Sequence, residues 1–266
     1  MLTILHPNQP YPAEFPKGAL LLVDKPLGWS SFDVVNKIRH HLSRRVGIKR
    51  IKIGHAGTLD PLATGLLLIC VGDYTKRIES LQGMPKEYTG TLTFGATTPS
   101  FDLEKAVNAT FPTAHLNDAL LQTTKQAFIG DIEQIPPVFS AVKVDGKRLY
   151  KNARTGETVD IPVRTVHIET LELGPLRKVL VTRDAPILVS FKGAQIMLHP
   201  DHADGLQSDF RVVCSKGTYI RTLANDLGLA VGSGAYLSAL RRTAIGDYSV
   251  DDAWPLEDLV AWAKGE

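Results

Sequence analysis

A single carboxylate stands in a short segment rich in residues that fix the backbone. Asp60 lies within GHAGTLDPLATG, residues 54–65, which holds three glycines and one proline. Glycine and proline at this density specify turns and let the backbone approach a ligand closely. An Asp before Pro is also a common turn residue, but a carboxylate on a rigid loop can serve as a nucleophile or a base. The apolar run LLLIC that follows, ending at Gly72, predicts a buried strand behind that loop.

Further segments accompany this loop, and together they resemble the motifs of the TruB family of pseudouridine synthases. The loop itself is similar to the catalytic motif of that family, in which the Asp is the nucleophile. The other matching segments, in the family's order, are LLLVDKPLGWSS (20–31), KEY (86–88), PPVFSAVK with GKRLY (136–150), CSKGTYIRTL (214–223) and LRR (240–242). The resemblance implies an enzyme that flips uridine 55 out of the T-arm loop of tRNA and isomerises it to pseudouridine.

The resemblance also implies which side chains carry the reaction. Asp60, Tyr88 and Arg221 occupy the positions of the family's catalytic residues. Arg221 matches the arginine that pairs with the catalytic Asp, and a cation is needed there because burial alone favours the neutral acid. Tyr88 matches the tyrosine that stacks on the flipped base. Asp60 has three routes open to it: attack at the anomeric carbon, attack at a ring carbon, or removal of the 2′ proton of the sugar.

Five more residues in the matched motifs are candidates for binding the substrate: His55, Lys25, Lys86, Tyr219 and Arg241. The family comparison suggests that His55 fills the gap left by the flipped nucleotide, although a turn residue or a metal ligand also fits its position. Lys86 and Arg241 are plausible phosphate contacts, and Lys25 is expected to bind RNA or to brace its Lys-Pro-x-Gly turn. Tyr219 is expected beside the uracil or in the core. Phe139, Ser140 and Ala141 are interpreted as structural.

No cofactor is expected, because the isomerisation leaves the redox state unchanged and needs no energy input. No metal is expected either, since His, Cys and carboxylates are not found at metal-ligand spacing. The two cysteines, Cys70 and Cys214, lie in apolar or strand-like stretches and predict buried, reduced thiols in a cytoplasmic protein. There is no apolar run of membrane-spanning length and no signal peptide, so no membrane partner is expected.

The distribution of charge is more informative than its total. The 266 residues carry a net charge of only +2, yet residues 37–52 hold seven Lys or Arg, two His and no acidic residue. Such a run is typical of a solvated helix face, but it also suits phosphate contacts, and its place before the Asp60 loop favours RNA. The expected partner is the T-arm stem-loop of tRNA, bound by a monomer without a guide RNA.

The elements around the motifs predict an α+β fold: a mixed, largely antiparallel sheet with flanking helices, as in pseudouridine synthases. A strand is expected over 18–23 and a helix of about 15 residues after Ser30 or Ser31. Residues 86–94 predict a half-buried strand, with Tyr88, Leu92 and Phe94 on one face and Thr91 and Thr93 on the other. The remaining predicted elements are a helix over 116–129, a hairpin turn at Asp145–Gly146, a series of strands over 160–215, and a helix over 218–228 capped by Thr218 and ended by Gly228.

The predicted organisation is an extended lead-in over 1–17, a catalytic domain over 18–250 and a short helix or tail over 251–266. Residues 174–207 are a possible insertion. The chain ends soon after Arg242, which predicts a short bacterial-type member lacking a C-terminal PUA domain.

Three other functions fit the motifs less well. The guide-RNA-dependent branch of the superfamily needs the extra C-terminal domain to hold its guide. A silent tRNA-folding module needs no buried carboxylate near phosphates. An Asp-nucleophile glycosidase needs a second carboxylate as its acid, and none is suitably placed.

Overall fold

The computed structural model describes residues 2–7, 9–12, 15, 17–137, 143–144, 147–148, 161–180, 183–191 and 194–265. The chain divides into two compact units. The first comprises Met1–Tyr88, Val189–Ile196 and Leu240–Glu266, and the second comprises Thr89–Leu188 and Met197–Ala239. No helix among the described residues is both long and apolar enough to cross a membrane.

The helices are α1 (Ser31–Arg45), α2 (Ile78–Gly83), α3 (Asp118–Thr124), α4 (Ile220–Ala230) and α5 (Leu256–Lys264). The strands are β1 (Leu2–Leu5), β2 (Gly18–Lys25), β3 (Ile53–His55), β4 (Ala63–Gly72), β5 (Lys86–Phe94), β6 (Ala96–Thr97), β7 (Ala109–Thr110), β8 (Gly130–Gln134), β9 (Lys143–Val144), β10 (Lys147–Arg148), β11 (Arg164–Leu173), β12 (Arg177–Lys178), β13 (Ile187–Phe191), β14 (Ala194–Leu198), β15 (Leu206–Cys214), β16 (Ala235–Ile245), β17 (Tyr248–Ser249) and β18 (Trp254–Pro255). This mixture of strands and helices confirms the predicted α+β class.

The sheet of the first unit runs β1–β2–β4 and continues to the C-terminal half of β16. Strand β2 is antiparallel to β4 along its whole length, whereas β1 and β18 lie parallel to β2, and residues 240–242 of β16 lie parallel to β4. The predicted strand over 18–23 is therefore confirmed. Residues 2–5, expected only as an extended lead-in, form a strand of this sheet.

Both faces of this sheet are covered, which explains why residues 66–71 of β4 are all apolar. Leu67 and Ile69 pack on one face with residues of α1 and α5, and Leu66 and Leu68 pack on the other with Tyr74 and Leu81. Successive side chains of a strand point to opposite faces, so a strand buried on both sides has no polar positions. Cys70 is buried here, and burial raises the pKa of its thiol to about 12.

Helix α1 begins where the sequence predicts. Ser30 is its N-cap: the hydroxyl accepts a hydrogen bond from the Asp33 N–H, and the Asp33 carboxylate accepts one from the Ser30 N–H. This reciprocal capping box satisfies two of the donors that a helix N-terminus leaves unpaired. Val35, Ile38 and Leu42 are buried, which confirms the predicted apolar face.

The second unit holds the strand order β5–β15–β11–β8, with β12 beside β15. Strand β11 is antiparallel to both β8 and β15, as the predicted series of strands over 160–215 suggested. Within residues 174–207 lie β12, β13, β14 and the first residues of β15. Strands β9 and β10 pair antiparallel as predicted, while their turn at Asp145–Gly146 and the segment Phe139–Ala141 lie outside the described residues.

Three local predictions were wrong in detail. The helix expected over 218–228 runs from Ile220 to Ala230; Tyr219 is its N-cap position, and the Thr218 hydroxyl instead donates to the Ser215 carbonyl. Helical structure over 116–129 is limited to α3 and a 3-10 turn, Lys125–Phe128. Strand β5 is not half-exposed at its end, because Thr93 is fully buried and its hydroxyl bonds that of Ser238 at 2.7 Å.

Candidate active site

Asp60 lies in the loop that joins β3 to β4, and its side chain is half-buried. Neighbouring segments fix the backbone on both sides of it. The Ser31 hydroxyl accepts a hydrogen bond from the Leu59 N–H at 2.8 Å and donates one to the Leu59 carbonyl at 3.1 Å. The Gly28 N–H donates to the Pro61 carbonyl at 2.8 Å. These hydrogen bonds fix the backbone of the loop, as the sequence predicts, and so define where the Asp60 side chain starts.

The most buried cation near the loop is Lys25, at the end of β2. Its ammonium group is fully buried and donates to the carbonyls of Trp29 at 2.7 Å, Pro26 at 3.1 Å and Pro61 at 3.4 Å. Burial lowers the pKa of Lys25 to about 7, while the negative charge of Asp60 opposes that shift. These hydrogen bonds agree with a bracing role in the turn, one of the two roles predicted for Lys25. Its ammonium group also interacts with the negative charge of Asp60.

Arg242, in β16, is the second buried cation that contacts this loop. Its guanidinium donates to the carbonyls of Leu66 at 2.7 Å, Gly57 at 3.1 Å and Thr58 at 3.4 Å. Its backbone also lies against Gly65, which has φ +101°; a Cβ there would approach the Arg242 carbonyl oxygen to 2.2 Å. Only glycine combines that φ with so close an approach, which explains the last glycine of the motif.

The other candidates of the first unit have distinct surroundings. His55 ends β3 and is half-buried; burial and the charge of Arg242 lower its pKa. The Lys86 ammonium is buried and donates to the carbonyls of Gln82 at 2.5 Å and Met84 at 2.6 Å. Arg241 forms a bidentate pair with Asp24 at 2.7 and 3.0 Å. Tyr88 lies half-buried in β5. The geometry of Lys86 favours a bracing role over the phosphate contact expected of it.

Arg221 and Tyr219 belong to the second unit. Arg221 is buried and reaches beyond its helix: its Nε lies 3.8 Å from the Asp102 carboxylate, and its Nη1 donates to the Ser100 carbonyl at 3.1 Å. Tyr219 is held through its backbone, whose N–H donates to the Gln134 side chain at 3.0 Å. The predicted pairing of Arg221 with Asp60 stays a prediction.

Two buried residues of these sites, Arg242 and Asp102, were missed by sequence reasoning. Arg241 was chosen from the LRR segment, but adjacent residues of a strand point to opposite faces, and the sequence does not tell which face meets the loop. Asp102 lies in an irregular segment and pairs with a residue more than a hundred positions away. A carboxylate in such a segment has no local signal that distinguishes it from a turn residue.

Comparison with known proteins adds to this geometry. Residues 44–220 match the model of the TruB family pseudouridylate synthase N-terminal domain, and residues 221–266 match that of the tRNA pseudouridylate synthase B C-terminal domain. The tRNA pseudouridine synthase B of Flavobacterium johnsoniae is 52% identical, with 91% of this chain and 94% of that protein covered. The protein of the same name from Phocaeicola vulgatus is 50% identical, with 93% and 94% covered.

Solved structures share the fold. The crystal structure of a Cbf5-Nop10-Gar1 complex contains a chain that matches with a TM-score of 0.59 and 27% identity. The match covers 92% of this chain but 54% of that one, so this chain spans about half the length of its structural relative. A structure of an H/ACA RNP bound to a substrate RNA containing 2′-deoxyuridine matches with a TM-score of 0.58 at 24% identity, which bears on the fold alone.

Proposed function

The chain belongs to the TruB family of pseudouridine synthases, and from that premise we propose that it converts uridine 55 in the T-arm loop of tRNA with Asp60 as the reacting carboxylate. It is an enzyme that isomerises uridine in tRNA. What we propose beyond this activity is the position of the modified uridine in the tRNA and the role of each side chain.

One structural observation carries the proposal for Asp60. Its loop is held by the Ser31 hydroxyl, the Lys25 ammonium and the Arg242 guanidinium, yet Asp60 itself remains half-exposed. A carboxylate that had only to end a turn would not require two buried cations beneath its loop. A reacting carboxylate does require such an arrangement, because a shift of about 1 Å from the attacking geometry can cost about a hundredfold in rate.

The reaction breaks the bond from the ring nitrogen to the sugar, rotates the base and joins a ring carbon to the sugar. That carbon loses its proton and the freed ring nitrogen takes one up, so the product is an isomer of the substrate. In this scheme Asp60 attacks the anomeric carbon or a ring carbon, or removes the 2′ proton. Arg221 supports the negative charge of Asp60, and Tyr88 stacks on the flipped base and acts at the ring carbon that loses its proton. His55 fills the gap left by the base, which offsets part of the few kcal/mol that flipping costs.

The proposed partner is the T-arm stem-loop, bound in the cytoplasm by a monomer without a guide RNA. Tyr219 is proposed to pack beside the uracil, and Arg241 to contact phosphate in exchange for its pairing with Asp24. For Lys25 and Lys86, the contacts of their ammonium groups favour support of the site's backbone over direct binding of RNA.

The test is a map of the product. Unmodified tRNA transcript is incubated with the protein, and pseudouridine is located by carbodiimide-dependent stops of reverse transcription. The expected result is a single stop that reports position 55. No stop, or a dominant stop elsewhere, contradicts the proposed function; a transcript with cytidine at position 55 is the control.

A further inference from the structure

One face of helix α1 is exposed although it carries an aromatic ring. Phe32 in the first turn is 61% exposed, the largest value among the big apolar side chains of the described first unit. Asn36, Arg39, His40 and Ser43 follow at helical spacing and line a groove of about 600 Å³ together with Arg44 and Lys49. Residues three and four apart share a helix face, so Phe32 stands at one end of this polar and basic groove.

The face of α1 that runs from Phe32 to Arg44, below called the α1 stripe, begins beside the Asp60 loop. Phe32 directly follows Ser31, the residue whose hydroxyl bonds both backbone groups of Leu59, next to Asp60. From Phe32 to Arg44 the helix rises about 18 Å. That length corresponds to roughly five stacked nucleotides at 3.4 Å each.

The basic residues of α1 and of the segment after it differ in their contacts and exposure. Arg39 donates to the Asn36 side chain and the Ile53 carbonyl, and Arg45 lies over the ring of Tyr11 at 4.1 Å. Arg44, Lys49, Arg50 and Lys52 are exposed. An exposed ring continued by exposed cations matches what single-stranded nucleic acid needs, which is a platform for a base and positive charge for the phosphates.

We propose that Phe32 is a stacking platform for an unpaired base of the RNA loop, and that the α1 stripe guides the phosphates of the same strand toward Arg44 and Lys49. This inference rests on the proposed function and adds a positioning residue to it. What distinguishes Phe32 from other exposed apolar side chains is the basic groove that follows it on the same helix: a nucleobase would cover the ring while the phosphates of its strand meet the cations.

The test is a double-mutant cycle between the ring and the bases. Binding of a T-arm hairpin is measured for the parent, Phe32→Ala, Phe32→Trp and the matched control Leu229→Ala, which removes a leucine that is 59% exposed on the second unit. A set of hairpins carries an abasic site at each loop nucleotide in turn. Thermal unfolding of each variant confirms that it is folded.

Phe32→Ala is expected to raise the Kd at least about fivefold, since stacking on a base is worth about 1–3 kcal/mol. Phe32→Trp and Leu229→Ala are expected to stay within about twofold of the parent. One abasic hairpin should bind the parent and Phe32→Ala equally, because the base that stacks is gone. The slope of log K against log salt should match among all four proteins, since no charge changes.

Equal binding by Phe32→Ala and the parent, or a loss that is the same on every abasic hairpin, would overturn the stacking proposal. Mapping pseudouridine with the parent protein separates this failure from a failure of the proposed function. Product at position 55 together with normal binding by Phe32→Ala rejects only the stacking. If binding depends on Phe32 but no pseudouridine is formed, the proposed function is rejected, while Phe32 is still shown to be part of an RNA-binding surface.

Discussion

Two buried cations lie under the loop that carries Asp60, and both bind main-chain oxygen atoms. Lys25 meets carbonyls on either side of its own turn and one in the loop, and Arg242 meets three carbonyls around the loop. A buried charge is costly unless it is hydrogen-bonded, so these cations and the loop hold each other in place. At the scale of single residues, the Asp60 carboxylate is therefore distinct from the groups that hold its loop in place.

Asp60→Asn is expected to abolish conversion while tRNA binding stays within a few fold. The amide keeps the shape of the side chain but removes its negative charge and its reactivity. Single-turnover formation of pseudouridine and filter binding measure the two effects. Asp73→Asn, the same exchange at an exposed residue paired with Lys76, is the control and should convert like the parent. Turnover by Asp60→Asn at the parent's rate would reject Asp60 as the reacting group.

Lys25 is expected to make stability depend on pH above neutrality. Its pKa of about 7 in the folded protein lies below the ordinary 10.5, so between these values the unfolded chain binds a proton that the folded chain lacks. The free energy of unfolding should therefore rise with pH across this window, by up to about 1.4 kcal/mol per unit for this one group.

Denaturant unfolding at pH 7, 8, 9 and 10 tests this for the parent and Lys25→Met. The variant should show a shallower rise whatever its absolute stability, and exposed Lys76→Met should keep the parent's slope. Parallel curves for the parent and Lys25→Met would show that Lys25 titrates normally.

Sequence reasoning identified the residues that lie in motifs and missed those that support them. Asp60 could be selected because its whole loop sequence matches the family motif; the glycines and proline alone also fit an ordinary turn. Arg242 and Asp102 could not, because their contacts depend on which strand face meets the loop and on a pairing across more than a hundred residues.

Gly228 shows at the scale of elements how a local rule was overridden. The sequence predicted that this glycine ends a helix, but α4 continues to Ala230, and Gly228 lies inside it. A Cβ at this position would approach the Ala235 nitrogen to 2.2 Å and the Ala235 Cβ to 2.6 Å. The glycine thus allows β16 to begin close against the helix, and long-range packing decided its role. The N-cap of α1, in contrast, is a local feature: the sequence predicted Ser30 or Ser31, and Ser30 is the cap.

Gly228→Ala is expected to lower the free energy of unfolding by about 1–3 kcal/mol, because the methyl group overpacks a close contact between backbone segments. Helix propensity alone would predict a gain of about 1 kcal/mol for the same exchange. Gly83→Ala at the end of α2 is the matched control, since a Cβ there meets nothing within 4 Å. Urea unfolding of both variants measures which of the two effects is larger. A Gly228→Ala variant more stable than the parent would show that β16 has room to move.

The whole molecule carries a net charge of only +2, so any strong attraction to RNA must come from the arrangement of charges. Among the described basic side chains of residues 37–52, Arg39 and the exposed Arg45 contact other parts of the protein, whereas the exposed Lys49 and Arg50 line the surface that follows α1. The sequence could locate the basic run but not this division, because the two groups alternate along the same segment.

Replacing Lys49 and Arg50 together by Gln is expected to weaken binding of the T-arm hairpin and to flatten its dependence on salt. Each lost phosphate contact should reduce the slope of log K against log salt by about 0.7 to 0.9. The matched control exchanges Lys125 and Lys178 for Gln in the second unit and should keep the parent's slope. Salt titrations of the three proteins measure this, and an unchanged slope for the Lys49/Arg50 variant would place the phosphates elsewhere.

The hydrogen bonds from Lys25 and Arg242 to carbonyl oxygens have a consequence for protein engineering. A carbonyl is the same whichever side chain its residue carries, so the loop's anchors do not depend on the identity of Thr58 or Pro61. Gly65 is excluded from such exchange by its φ and by the backbone of Arg242. A library that varies exposed Thr58 while retaining both cations and Gly65 should therefore yield mostly folded proteins. The rim of the Asp60 loop can then be redesigned for new RNA substrates without rebuilding its support.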